Sequence, residues 1–184
     1  MQIISGMLRG KKLRLPQSAR PTQTLARGAV MNMLASVFAG RGGAGAPRAV
    51  WDAFAGSGAM GIEFISRFGA DFALFTDTDP DAVRCVRENA AGIKDCEVSV
   101  RLESAARATP AERPAVVFID PPYAEHQLGA DLAARLAGAA PGGTILVWES
   151  EAAAPREIPS GLEVLADRRH GRARFAVLRK PVLT

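Results

Sequence analysis

The segment Val116-Val117-Phe118-Ile119-Asp120-Pro121-Pro122-Tyr123 sets an acid, two prolines and an aromatic directly behind an apolar run. Two consecutive prolines fix φ and remove two N–H donors, so the Asp120 carboxylate and the nearby carbonyls form a rigid row of acceptors. Acceptors without competing donors suit an amino group. An exocyclic base amine is a poor nucleophile, because its lone pair is delocalised into the ring. Hydrogen bonds from its two N–H groups to Asp120 and to a carbonyl of the Pro121–Pro122 turn favour a pyramidal nitrogen, and Tyr123 is placed to stack on the base. Asp120, Pro121, Pro122 and Tyr123 are the candidate catalytic set. The bland alternative is an ordinary strand-ending turn.

A second constellation precedes it. Trp51-Asp52-Ala53-Phe54-Ala55-Gly56-Ser57-Gly58-Ala59-Met60-Gly61 carries a G-x-G-x-x-G run between an apolar strand and a helix. Glycines there permit a tight turn and a close approach of backbone to ligand. Asp77 ends the next strand, 21 residues after Gly56, where a carboxylate accepts both ribose hydroxyls of a nucleotide. Both NAD and S-adenosylmethionine sit over such a turn. Asp52, four residues before Gly56, opposes a pyrophosphate and suits a ligand with an ammonium and a sulfonium, which leans the reading toward S-adenosylmethionine. The candidate cofactor residues are Asp52, Phe54, Gly56, Ser57, Gly58, Asp77 and Thr78.

Alternating elements must position these groups. The pattern predicts strands over 49–54, 72–76, 98–102, 116–119 and 144–148, with helices over 58–68, 81–91 and 128–136 between them. That alternation implies an α/β fold with a doubly wound, mostly parallel sheet. Residues 162–165 and 175–178 flank a polar Asp167–Arg174 stretch and suggest an antiparallel hairpin at one edge. Ahead of the body, residues 1–15 read as a short hairpin. Leu25, Ala29, Met33 and Val37 recur every four residues, marking an amphipathic helix over 22–38 opened by a Thr cap. The Gly- and Ala-rich run 40–47 reads as a linker, dividing a basic extension (1–45) from the body (46–184).

Charge is unevenly spread. Residues 1–51 hold eight Lys and Arg and no acid, whereas the remaining 133 residues sum to −4. A basic front on a mildly acidic body fits a module that grips a polyanion, equally a solvated basic face. Arg9, Lys11, Lys12, Arg20, Pro21, Thr22 and Arg27 are the candidate substrate contacts, and Arg168, Arg169, His170, Arg172 and Arg174 form a second cluster. Composition excludes disorder, since hydrophobic residues make up 48% and charged residues 23% of the 184-residue chain. No apolar run reaches the roughly 18 residues of a membrane span, and basic residues interrupt any signal-peptide core. Cys85 and Cys96 provide neither a disulfide framework nor a metal set and read as packing residues; no metal is expected. His126 and His170 read as surface residues. A cytoplasmic, monomeric protein is expected.

Together these residues resemble class I S-adenosylmethionine-dependent methyltransferases of the amino-methylating type, whose signature is Asp/Asn/Ser-Pro-Pro-Tyr/Phe. More narrowly, the chain resembles the bacterial 16S rRNA guanine-N2 methyltransferase D family. Ile3-Ile4-Ser5-Gly6, Arg9-Gly10-Lys11-Lys12-Leu13, Arg20-Pro21-Thr22 and Asn32 match its N-terminal extension. Asp52 to Glu63 with Ser66-Arg67 match its cofactor loop and helix; Asp120 to Tyr123 and Glu149-Ser150 complete the likeness. The resemblance implies a seven-stranded sheet of order 3-2-1-4-5-7-6 and methylation of one small-subunit guanine in protein-bound rRNA, within a 30S particle. It also implies that Asp52, Gly56, Gly58 and Asp77 hold S-adenosylmethionine, that Asp120 to Tyr123 hold guanine, and that Arg20 to Thr22 approach RNA or order the site. Two features depart from the family: Arg27-Gly28 stands where an Arg-Glu pair is usual, and Glu103-Ser104 occupies the place of the adenine-reading acid or amide. The rival readings are methylation of adenine N6 in DNA, of another RNA base or of a protein amide, a nicotinamide-dependent oxidoreductase, and a non-catalytic RNA-binding module.

Overall fold

The computed structural model describes residues 1–17, 24–40, 45–109, 115–154 and 156–182, with the side chains of Thr24, Leu25 and Tyr123 left aside. Arg20, Pro21 and Thr22 therefore lie outside the described residues. Among the described residues the elements run in the order α1 (Thr24–Ala39), β1 (Ala49–Asp52), α2 (Ala59–Phe68), β2 (Phe72–Asp77), α3 (Pro80–Ala90), β3 (Glu97–Leu102), β4 (Val116–Ile119), α4 (His126–Ala139), β5 (Ile145–Glu151), β6 (Glu163–His170) and β7 (Ala173–Arg179). A short 3₁₀ turn, Tyr123–Glu125, leads into α4. The sheet order is β3-β2-β1-β4-β5-β7-β6. Pairing is parallel from β3 to β5 and antiparallel at β7 and β6. The doubly wound α/β sheet and the strand order implied by the resemblance are both present.

The central strands are apolar up to their carboxyl ends because both faces are covered. Val50, Phe75, Phe118 and Val147 pack under α1 and α2, while Trp51, Leu74, Val117 and Trp148 pack under α4. Helix α3 has strong local signals: Asp79 caps it by accepting the Asp81 N–H at 2.8 Å, Pro80 opens it, and Arg87 lies in its last turn.

The polar stretch 167–174 is not a loop. Strands β6 and β7 run almost through it and turn at Gly171 (φ 60°), so the edge hairpin is longer than its apolar segments predict. Its charges pair across the ladder: Asp167 accepts from Arg174 at 2.7 Å and from the buried Arg156 at 3.1 Å. An edge strand with one open side tolerates this polarity, which conceals its period from the sequence.

The basic extension docks tightly on the body. Its hairpin closes with a Gln2–Lys12 bridge, and Ile3, Leu13, Val30, Met31 and Leu34 share one apolar core with Ile62, Phe64 and Phe118. Gly6 (φ +82°) lies so close to α2 that a Cβ there would sit 1.8 Å from the Ser66 carbonyl oxygen. Ser66 Oγ accepts the Leu8 N–H and donates to the Ser5 carbonyl. Among the described residues no helix is long and apolar enough to cross a membrane.

Candidate active site

Strand register explains how the acidic groups meet. Asp52 pairs with Phe75 on one side and Phe118 on the other, and Phe118 pairs with Val147. These four share the α1–α2 face. Two residues further along a strand, the side chain returns to the same face. Asp77 follows Phe75 by two, Asp120 follows Phe118, and Glu149 follows Val147. The carboxyl ends of four neighbouring strands thus carry Asp52, Asp77, Asp120 and Glu149 on one face, at the edge where ligands bind in open α/β sheets.

Each carboxylate is held differently. Asp52 is buried and accepts the Gly61 N–H at 2.9 Å. Burial pushes its carboxyl up to about 7 against that hydrogen bond, with a further push from Asp77. Asp77 is half-buried and accepts the N–H groups of Gly56 (2.8 Å) and Asp79 (2.9 Å), so the glycine loop is closed onto it. Asp120 is half-buried; burial, then Glu149, then Asp52 hold its carboxyl well above the usual carboxylate range, and it is hydrogen-bonded to Glu149. Both of its charged neighbours belong to this row, so its carboxyl lies among the row's acids.

The loop fits a nucleotide-bearing cofactor. A Cβ at Gly56 would meet nothing within 4 Å, leaving its backbone open to a ligand. Gly61 serves packing instead: a Cβ there would lie 2.5 Å from the Phe75 ring and 3.3 Å from Asp52 Cβ. Removing that Cβ brings α2 against β1 and β2 and places its N–H on Asp52. Ser57 is buried, with its carbonyl accepting from Asn89 at 2.9 Å; Phe54 is half-buried; Thr78 is exposed beside Asp77. Glu103 donates its N–H to the Asp77 carbonyl, while Ser104 Oγ accepts the Ala106 N–H within a local turn. Leu102, opposite Asp77 in the ladder, is 56% exposed and puts apolar surface at this rim.

At the other end of the row, Pro121 is buried and Pro122 exposed, and the Pro122 carbonyl accepts the Glu125 N–H at 2.7 Å. A pocket of about 210 Å³ opens beside Pro121, lined by His126, Trp148, Glu149 and Ser150. Glu149 is the site residue whose role the sequence pattern alone does not assign. Its signal is the alternation Val147–Glu149 on a strand adjacent to β4.

The basic candidates divide. Arg9 and Lys12 are exposed on the hairpin, whereas Lys11 Nζ donates to the Ala91 carbonyl at the end of α3. Arg27 is corrected: it does not face a substrate. It is 1% exposed, and its Nε meets Glu63 at 3.2 Å while its other nitrogens reach the Gln2 carbonyl and Met1 Sδ. Glu63 also accepts the N–H groups of Ile4 and Ser5. A buried charge needs such a partner set, and the pair joins α1, α2 and the hairpin.

The sheet order, the glycine loop closed on Asp77 and the acidic row define a class I S-adenosylmethionine-dependent methyltransferase. The family model described as Conserved hypothetical protein 95 matches residues 1–179, and the chain belongs to that family, the family of ribosomal RNA small subunit methyltransferase D. It is 33% identical over 143 residues (71% of each chain) to YlbH of Bacillus subtilis (strain 168), a protein named for rRNA methyltransferase activity. It is 34% identical over 130 residues to ribosomal RNA small subunit methyltransferase D of Escherichia coli (strain K12), a match covering 67% of this chain and 60% of that relative. Among solved structures, yhhF of Escherichia coli shares the fold with a TM-score of 0.78 at 24% identity, covering 100% of this chain and 99% of that one. Trm1 of Pyrococcus horikoshii, solved with S-adenosyl-L-methionine, shares it at 0.66 and 16% identity over 94% and 60%.

Proposed function

We propose that this protein transfers a methyl group from S-adenosylmethionine to the exocyclic N2 of a guanine in 16S rRNA, with the assembled small-subunit particle as substrate. The cofactor supplies an electrophilic methyl on a sulfonium. Asp77 would take its ribose hydroxyls, Asp52 with the backbone of Gly56, Ser57 and Gly58 its amino-acid end, and Glu103 beside Leu102 its adenine, since Ser104 Oγ is engaged locally. Phe54 and Thr78 flank that site. The acidic row repels a pyrophosphate, which counts against a nicotinamide dinucleotide.

The observation that carries the guanine assignment is the side-by-side placement of Asp120 and Glu149 next to the Pro121 pocket. Guanine presents three hydrogens in a row, one on N1 and two on N2. The Asp120–Glu149 pair, which shares a proton in its own hydrogen bond, and a carbonyl of the proline turn meet that edge with their remaining acceptor oxygens. Adenine presents a lone pair at N1 beside its amine, which would face a carboxylate unfavourably. Asp120 orients N2, and the Asp120–Glu149 pair, holding one proton between its two carboxyl groups, has one ionised position left to take up the proton that the methylated nitrogen releases. Tyr123, on the turn that follows, is the stacking group. Arg9 and Lys12, with Arg20 to Thr22, contact rRNA.

The test is nucleoside mass spectrometry of 16S rRNA after incubation of purified protein with 30S particles from a deletion strain. N2-methylguanosine should appear. Asp120→Ala should abolish it with RNA retention intact, and Glu149→Gln should lower kcat by 10-fold or more, about 1.4 kcal/mol or greater. Methylation of adenine alone, or full activity in Asp120→Ala, would refute the assignment.

A further inference from the structure

Between α1 and the edge strand β6 runs a cleft of about 680 Å³, separate from the acidic row. Its floor is apolar, built by Met33 and Val37 of α1 and Leu165 of β6. Asn32 and Ser36 supply an amide and a hydroxyl along one wall, and Arg168 and His170 stand on the other. The Arg168 guanidinium donates to the Asp167 carbonyl, a neutral acceptor, at 2.9 Å. Arg179, at the far end, is held by Glu163. Among the described residues no carboxylate lines the cleft, in contrast to the active site.

Resting on the rRNA reading above, we propose that this cleft binds a single-stranded segment of rRNA flanking the target guanine. Its phosphates would lie against Arg168 and His170, and an unstacked base would lie on the Met33–Val37–Leu165 floor. Three properties favour this occupant. The Arg168 guanidinium, on a wall that no carboxylate lines among the described residues, attracts a polyanion. An apolar floor between polar walls takes a base face while satisfying its edges. The position is also right: β6 is the third strand beyond β4 in the sheet, about 14 Å at roughly 4.8 Å per strand. At the near end, His170 pairs with Ala173, which pairs with Glu151 at the end of β5. Arg172, in the turn between β6 and β7, donates to Glu151 at 3.1 Å. A strand leaving the pocket beside Pro121 thus passes the Glu151–Arg172 pair at the edge of the sheet and reaches the cleft within a few nucleotides.

The full-length protein carrying Arg168→Ala and His170→Ala tests this against 16S rRNA and against 30S particles. Affinity for free 16S rRNA should fall several-fold. The slope of log K against log salt should become shallower by about 0.7 for each phosphate of the single strand that the variant no longer neutralises. Melting temperature and S-adenosylmethionine affinity should stay at wild-type values, which separates the effect from misfolding. In a second measurement, rRNA containing 4-thiouridine should crosslink to residues 32–37 and 165–170 of the wild type. Unchanged affinity and slope in the double variant, or crosslinks confined to other surfaces, would overturn the assignment. So would weakened 30S binding with unchanged affinity for free rRNA, which would make the occupant a ribosomal protein. A wild type that methylates no RNA would overturn the functional reading and the cleft with it. A wild type that methylates guanine while the variant binds RNA as tightly would overturn the cleft alone.

Discussion

Asp52→Asn removes an ionisable group from the middle of the sheet while keeping an oxygen to accept the Gly61 N–H. In the folded protein that carboxyl titrates at about 7, against an ordinary value of 3.8. The folded state therefore holds a proton that the unfolded chain has already released. Its contribution to stability is fully present below the ordinary value and is lost as pH rises through 7. With those two values, wild type loses about 3 kcal/mol between pH 5 and pH 8 from this group, or roughly 6–12 °C in Tm for a domain of this length. The asparagine variant lacks that loss, so its urea-unfolding free energies should fall less steeply with pH, and it should be the more stable protein at pH 8. Asp120 titrates in both proteins and largely cancels in the comparison. A cationic ligand reverses the effect, because it favours the ionised carboxylate. The Tm gain on adding S-adenosylmethionine should grow from pH 5 to pH 8 in wild type and grow less in the variant. Stability profiles that run parallel within about 1 kcal/mol, the scatter of such extrapolations, would refute the reasoning.

Arg27→Met strands Glu63 in the core. It should cost about 3–5 kcal/mol, read as a lower midpoint in urea, with the loss shared by Glu63→Leu; a change below about 1 kcal/mol in both would show that the pair is not structural. Asn89→Ala removes a side chain that accepts the Arg14 N–H and donates to the carbonyls of Arg14 and Ser57. It should lower stability by about 1–3 kcal/mol and weaken S-adenosylmethionine binding in titration calorimetry, because the Ser57 carbonyl that it fixes belongs to the cofactor loop. An unchanged dissociation constant would confine Asn89 to a packing role.

Much of the fold was readable from the sequence because its signals are local. Four of the five parallel strands begin as short apolar runs and β3 alternates, and the glycine loop and the proline turn punctuate them at fixed offsets. Asp52, Asp77 and Asp120 were recognisable since each ends a strand. Glu149 lacked such a mark: it sits inside β5 and gains meaning only from the register that sets β5 beside β4. Arg27 was misread for the converse reason. In a chain whose first 51 residues contain no acid, every basic residue there looks like a polyanion contact. Its partner Glu63 stands 36 residues away on α2. The polar 167–174 stretch is strand on both sides of its turn because its charges pair across the hairpin rather than with solvent.

Long-range pairing also bears on how the basic extension acts. Glu63 and Ser66 of α2 and Asn89 of α3 all bond backbone groups between Ile4 and Arg14. Lys11 adds its ammonium to the carbonyl end of α3, where the helix dipole favours a cation. Helix α2 starts at the glycine loop, and α3 carries the Asn89 that fixes Ser57. The hairpin that exposes Arg9 and Lys12 is thus fastened to the two helices that shape the cofactor loop. A flexible basic arm would add affinity without orientation. A hairpin fixed at three side chains sets the distance between its cations and Asp120, so under the proposed function rRNA would have to satisfy both at once and would be selected by shape as well as by charge.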